Sequence, residues 1–246
     1  MRAKAAAHIH KNDGIKWRSH EPSRIETFSD AAFAFALTLI VISMEVPKSF
    51  NDLMITMKGT LSFAVCFALL FNIWNTQNIF FRRYGLSDGY TLTLNAILLF
   101  VVLVYTYPLK FLFELVFSGG KQTYMLNGRE MPMIDEGQTQ PLMLIYGAGF
   151  VVINILFYLM YRHAQKFVKE LELTLSELYD TQTTAKIYLI CIGICLLAMS
   201  AAIAVPLFTD ATYVGLTGFT YCLIPVAYSL WFRYRGKKAR KKFPVM

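Results

Sequence analysis

Charge is scarce in this sequence. Only 16% of its 246 residues are Asp, Glu, Lys or Arg, while 56% are apolar and the mean hydropathy is positive. A soluble domain of this size carries nearer a quarter charged residues. Catalytic signatures are missing too: there is no Gly-rich phosphate loop, no histidine pair at metal-ligand spacing and no Ser/His/Asp set. Short alternating strands separated by turns are absent, which argues against a membrane β-barrel. No internal repeat is seen, so a duplicated architecture has no support. No small-residue cleavage site follows the first apolar run, which ends at Glu45-Val46-Pro47-Lys48, so a cleavable signal peptide fits poorly. The four cysteines (Cys66, Cys191, Cys195, Cys222) lie in apolar runs without histidine or further thiolates nearby. They read as buried, unreactive thiols, with no metal site among them.

What is present is a set of six apolar segments, at about 25–46, 53–80, 91–116, 141–161, 187–208 and 211–232. Each reaches the roughly 20 residues that cross a bilayer core as a helix. The net charge of +8 follows from where the basic residues sit. Of 24 Lys and Arg, 19 fall in the two termini, the second loop (Arg82, Arg83) and the fourth loop (Arg162, Lys166, Lys169, Lys186). The positive-inside rule then makes both termini cytoplasmic and the number of passes even. Membrane topology explains this charge better than nucleic acid does, so no nucleic-acid partner is expected. The chain therefore divides into a cytoplasmic basic tail (1–23), a six-helix transmembrane domain (24–233) and a second cytoplasmic basic tail (234–246). His8 and His10 read as part of an exposed tail. Tyr124-Met125-Leu126 reads as a short hairpin strand in the external loop, and Pro108 is expected to kink or end the third helix. Residues 162–186 read as a cytoplasmic extension of the fourth helix, with Lys166, Lys169, Glu170, Glu172 and Glu177 set for i,i+4 pairing.

One stretch stands out. Arg24-Ile25-Glu26-Thr27-Phe28-Ser29-Asp30 leads straight into the first apolar run, where helical spacing puts Phe35, Thr38, Ile42 and Glu45 on one stripe. Ionisable groups at a membrane segment are costly and mark functional candidates. Along the stripe the character runs acidic, apolar, hydroxyl, apolar, acidic, which suits a hydrophobic constriction with charge at its mouths. Small residues (Ala31, Ala32, Ala34, Ala36) let helices approach closely. A plainer reading also stands: Phe35, Leu39 and Ile42 as core packing, Thr38 bonded back to the Ala34 carbonyl, Arg24 as an anchor and Asp30 as a helix cap. Asn72, Trp74, Asn75, Gln77, Asn78 and Asn95 form an amide-rich cluster able to hold Arg24 and Asp30, or simply interfacial polar trim.

Arg24-x-x-x-Phe28-Ser29-Asp30 opening a membrane helix resembles the signature of the transmembrane protein 175 family of potassium channels. Ala31, Thr38, Trp74, Leu94-Asn95-Ala96 and Pro108 suit the same pattern. The resemblance implies an all-α membrane protein of six transmembrane helices per subunit, with the first helix lining a central pore in a homotetramer. It also implies a potassium-selective channel conducting K+ passively, in a bacterial inner membrane, with other monovalent cations as competitors and no cofactor. By position, Phe35 and Ile42, with Leu39, become the gate, Thr38 the selectivity layer and Glu45 the pore-mouth charge. Arg24, Phe28, Ser29, Asp30, Trp74 and Asn95 become the network holding the pore helix. Phe35 is bulkier than the aliphatic residue usual there, and Gln77-Asn78 stand where relatives commonly have histidine. No Thr-Val-Gly-Tyr-Gly filter is present, and the family does not call for one. The competing reading is a secondary transporter with a substrate site at Arg24, Asp30 and Glu45, which predicts an inverted repeat. A membrane scaffold without transport is a third.

Overall fold

The computed structural model describes residues 17–18, 21–42, 47–117, 123–126, 129–208 and 211–242. The chain runs through α1 (Arg24–Ile42), α2 (Phe50–Tyr84), α3 (Gly89–Phe117), β1 (Thr123–Leu126), β2 (Arg129–Pro132), α4 (Thr139–Ala164), α5 (Leu175–Phe208) and α6 (Leu223–Lys242). Among the described residues six spans are long and apolar enough to cross a membrane. This is a multi-pass membrane protein. β1 and β2 pair antiparallel with Tyr124 opposite Met131, as the hairpin expectation required.

Helix ends follow local chemistry. Tyr84 is followed by Gly85 at φ 60, whose amide closes on the Phe81 carbonyl at 2.7 Å. That left-handed position favours glycine, and it stops α2 cleanly. At 35 residues, α2 is about 52 Å long, well beyond the ~30 Å hydrocarbon core, so it projects beyond the bilayer core.

The core joins α2, α4 and α5 through aromatic rings. Phe80 and Tyr84 meet Tyr161 at 5.3 and 5.8 Å, and Tyr161 meets Tyr188 at 5.6 Å. α4 lies close to its neighbours at two glycines: a Cβ on Gly149 would fall 2.1 Å from the Tyr105 ring, and one on Gly147 2.4 Å from Met199. Small residues at such crossings are how membrane helices gain packing where burial alone supplies little drive.

Several expectations need correction. The third helix does not end at Pro108 but carries it inside and continues to Phe117. There the Tyr146 hydroxyl donates to the Pro108 carbonyl at 2.6 Å, tying α4 to α3. The fourth helix is not extended to Lys186; it stops at Ala164, turns through a 3-10 segment at Gln165–Phe167, and residues from Leu175 belong to α5. The sixth segment begins as a 3-10 helix at Ala211–Cys222, and α6 runs past 233 to Lys242, so no break separates it from the basic tail. Cys66, Cys191 and Cys195 are buried, but Cys222 is exposed.

The expected i,i+4 pairing of Glu177 is replaced by long-range pairing. Arg18 grips the buried Glu177 carboxylate with two bonds of 3.1 and 3.0 Å, while its Nε donates to the Leu171 carbonyl at 2.7 Å. Arg83 and Arg235 both pair with Asp180. Trp17 lies under the Arg82 guanidinium at 4.7 Å. The end of the N-terminal basic segment is therefore docked, not free; residues 1–16, with His8 and His10, lie outside the described residues.

Candidate functional site

α1 starts on a capping box. The Ser23 amide and hydroxyl donate to Glu26 Oε1 at 3.0 and 2.8 Å, and the Glu26 amide donates back to Ser23 Oγ at 3.4 Å. The cap is thus Ser23 and not Asp30; the Ser-x-x-Glu spacing that signals it was available in the sequence.

The next turn ties three helices together. Gln77 Nε2 donates to Asn95 Oδ1 at 3.0 Å, Asn95 Nδ2 to Ser29 Oγ at 3.0 Å, and Ser29 Oγ to the Ile25 carbonyl at 2.7 Å. Ser29 and Asn95 are 0% exposed and Gln77 1%, so each of these side-chain groups is desolvated and carries a bond. One face over, the Trp74 indole N–H donates to Asp30 Oδ1 at 2.6 Å. The amides therefore hold Ser29, while an indole holds Asp30; the amides were expected on Arg24 and Asp30. Arg24 is exposed and has no partner among the described residues. Phe28 is 64% exposed and stands apart from this network within one subunit.

Above that base α1 has two opposed faces. Phe33, Ala36 and Ile40 are buried, continuing the line of Glu26 and Ser29. The other face carries Phe35 (56% exposed), Thr38 and Ile42 (72% exposed), with Leu39 half-buried beside it. Steps of three, four and three residues from Phe28 through Ala31 and Phe35 to Thr38, then four more to Ile42, keep this second face on one side of the helix. Thr38 Oγ1 donates to the Ala34 carbonyl at 2.9 Å, the back-bond of the plainer reading. Glu45 lies outside the described residues.

Sequence reasoning singled out Ser29, Trp74, Asp30 and Asn95, and the structure brings them together in two contacts. It had no means to find the partnership of Asn95 with Ser29, 66 residues apart. Among the described residues no cluster of three or more His, Cys, Asp or Glu is arranged to hold a metal.

The model of the family described as the endosomal/lysosomal potassium channel TMEM175 matches residues 24–105, which covers α1, α2 and the half of α3 that carries Asn95. A protein of Marivirga tractuosa named as a potassium channel is 37% identical over 233 residues, spanning 94% of this chain and 94% of its own. A potassium channel of Chamaesiphon minutus is 26% identical over 152 residues, spanning 58% of this chain and 66% of its own. The crystal structure of a variant of the potassium channel MtTMEM175, in complex with a nanobody fusion protein, matches with a TM-score of 0.76 at 36% identity, covering 92% of this chain and 98% of that one. A potassium-selective TMEM175 homolog from Chamaesiphon minutus has the same fold, with a TM-score of 0.58 at 21% identity over 85% of this chain and 96% of that one. Identity over nearly the full length, and a first helix built on the same matched stretch, place the chain in the TMEM175 family of potassium channels.

Proposed function

We propose that this protein is a potassium-preferring channel, in which four copies set their α1 helices around a central pore and let K+ pass down its gradient. The observation that carries this reading is the uncovered face of α1. Phe35, Thr38 and Ile42 point away from a subunit that closes around Phe33, Ala36 and Ile40. In a homotetramer that face turns inward. Phe35 and Ile42, seven residues and about 10 Å apart along the helix, form apolar constrictions that gate by dewetting, with Leu39 at their flank. Thr38 lies between them. Its hydroxyl proton is committed to the Ala34 carbonyl, so the lone pairs of its oxygen remain for a cation. Four such oxygens replace part of a potassium hydration shell, and other monovalent cations compete for the same path.

The remaining residues serve the frame. Ser29, Asp30, Trp74 and Asn95 set the base of the pore helix, Arg24 and Phe28 of the same motif are left exposed for contacts between copies, and Glu45 adds negative charge at the outer mouth. The clustering of Lys and Arg supports cytoplasmic termini, with 1–23 and 234–246 as basic flanks of a channel domain at 24–233. The bacterial relatives support placement in a bacterial inner membrane. A transporter site at Arg24, Asp30 and Glu45 is disfavoured because Asp30 is already engaged by Trp74 and Arg24 faces elsewhere.

The test is single-channel recording of purified protein in planar bilayers under K+/Na+ bi-ionic conditions. Ohmic unitary currents reversing toward the potassium potential are expected, with a lower K+/Na+ permeability ratio in Thr38→Ala. An unchanged ratio in that variant removes the selectivity role of Thr38. Saturating, coupled flux without unitary steps removes the channel.

A further inference from the structure

Where α4 ends and α3 begins, Tyr90, Leu159, Arg162, His163, Gln165 and Lys166 surround a cavity of about 310 Å3. It lies where the spans Gly89–Phe117 and Thr139–Phe167 reach their ends, at the boundary between hydrocarbon and water. His163 is held in its wall: Nε2 is 2.8 Å from Asp88 Oδ2, and the ring packs against Tyr90 at 4.5 Å and Phe167 at 5.0 Å. Burial pushes the Asp88 carboxyl up, but hydrogen bonds from Thr91 and His163 outweigh it and hold it below the usual carboxylate range. Asp88 thus answers any charge on His163. Arg162 and Lys166, one turn apart and exposed, have no acidic partner among the described residues.

A basic residue in the last turn of a helix is explained by the dipole. Two uncompensated cations facing a polar cavity are not. Below them the chemistry changes in register: Leu159, Ile155 and Val152 follow Arg162 down one stripe of α4, with Ile155 and Val152 exposed. Tyr90 heads a parallel exposed stripe on α3, through Ile97, Phe100 and Val104. Cations and hydroxyl above, apolar flanks below, is the outline of a phospholipid.

We propose that this cavity binds the headgroup phosphate of an anionic phospholipid, with Arg162 and Lys166 on the phosphate oxygens and Gln165 and Tyr90 as neutral donors. Arginine offers a planar fork matched to phosphate, and lysine adds a point charge. Basic pockets between membrane helices on the cytoplasmic side are suited to such lipids. Only the leaflet depends on the orientation given above. Binding itself is read without ion flux, so it stands or fails apart from the channel reading.

The experiment measures the melting temperature of the purified full chain in neutral detergent, titrated with phosphatidylglycerol, phosphatidylcholine or inorganic phosphate. A ligand that binds only the folded state raises that temperature. We expect phosphatidylglycerol to raise it by several degrees and phosphatidylcholine to leave it unmoved. The Arg162→Gln/Lys166→Gln variant should lose the rise, while Lys237→Gln/Lys238→Gln, which removes equal charge from α6, should keep it. Three results would overturn the proposal: a rise that survives in the first variant, a rise lost equally in both, or an equal rise from inorganic phosphate alone.

Discussion

One hydroxyl serves two helices at Ser29: it donates to the Ile25 carbonyl and accepts from Asn95 in a site closed to solvent. In Ser29→Ala the Asn95 amide loses its acceptor while still buried, so unfolding midpoints in graded denaturing detergent should fall by about 1–3 kcal/mol, with Ser29→Thr milder. An unchanged midpoint would mean Asn95 finds another partner. The sequence made the polar residues of this site visible but not their pairing. Asp30 and Arg24 drew the eye because charge at a membrane entry is rare, yet the deeper polar contact is made by an uncharged serine. Pairing between residues on different helices depends on packing distances that no spacing encodes.

Helix α4 shows how an element can be legible in extent and hidden in detail. Its apolar run predicts a span at about 141–161, and the helix covers Thr139–Ala164. Its close approach to α3 rests on Gly149, against which Tyr105 lays its ring while donating to the Tyr146 carbonyl at 2.6 Å. Gly149→Ala should therefore force that ring aside and cost about 1–3 kcal/mol, as overpacking does. Adding Tyr105→Leu should restore part of the loss, a non-additivity that the same denaturation assay reads; simple additivity would show the two do not touch. The 3-10 helix at Ala211–Cys222 was invisible to hydropathy, which counts apolar content and not pitch. Gly215, Gly218 and β-branched residues make that stretch a weak α-former, and Thr217 Oγ1 bonds the carbonyl of Val214 three residues back at 2.7 Å. At about 2.0 Å per residue it reaches further than an α-helix of equal length.

For the whole molecule, hydropathy sufficed to find the six helices long and apolar enough to cross a membrane, because a bilayer sets the length of an apolar run. The arrangement at the basic end followed other rules. Glu177, read as a local helix partner, and Asp180 one turn on instead collect Arg18, Arg83 and Arg235 from three separate parts of the chain. Arg18 stands six residues ahead of α1, so this cluster restrains the approach to the first helix. Arg18→Gln strands a buried carboxylate, a loss of about 3–5 kcal/mol for such pairs. It should make the N-terminal segment markedly more sensitive to limited proteolysis. Arg18→Gln combined with Glu177→Gln should be less harmful than the single change; equal or greater harm would show that the pair is not the hold.

The donor chain from Gln77 through Asn95 to Ser29 also fixes an order of assembly. As synthesis proceeds, α1 enters the membrane with its serine already satisfied by its own backbone. α2 follows with the Gln77 amide not yet matched, and its acceptor arrives 18 residues later on α3. Delivery of α3 is therefore the step that pairs the Gln77 amide and ties Ser29 of the first helix to a third one. A chain halted before Asn95 leaves the first helix held only by the Trp74–Asp30 bond to its immediate successor, with the Ser29 face unclosed.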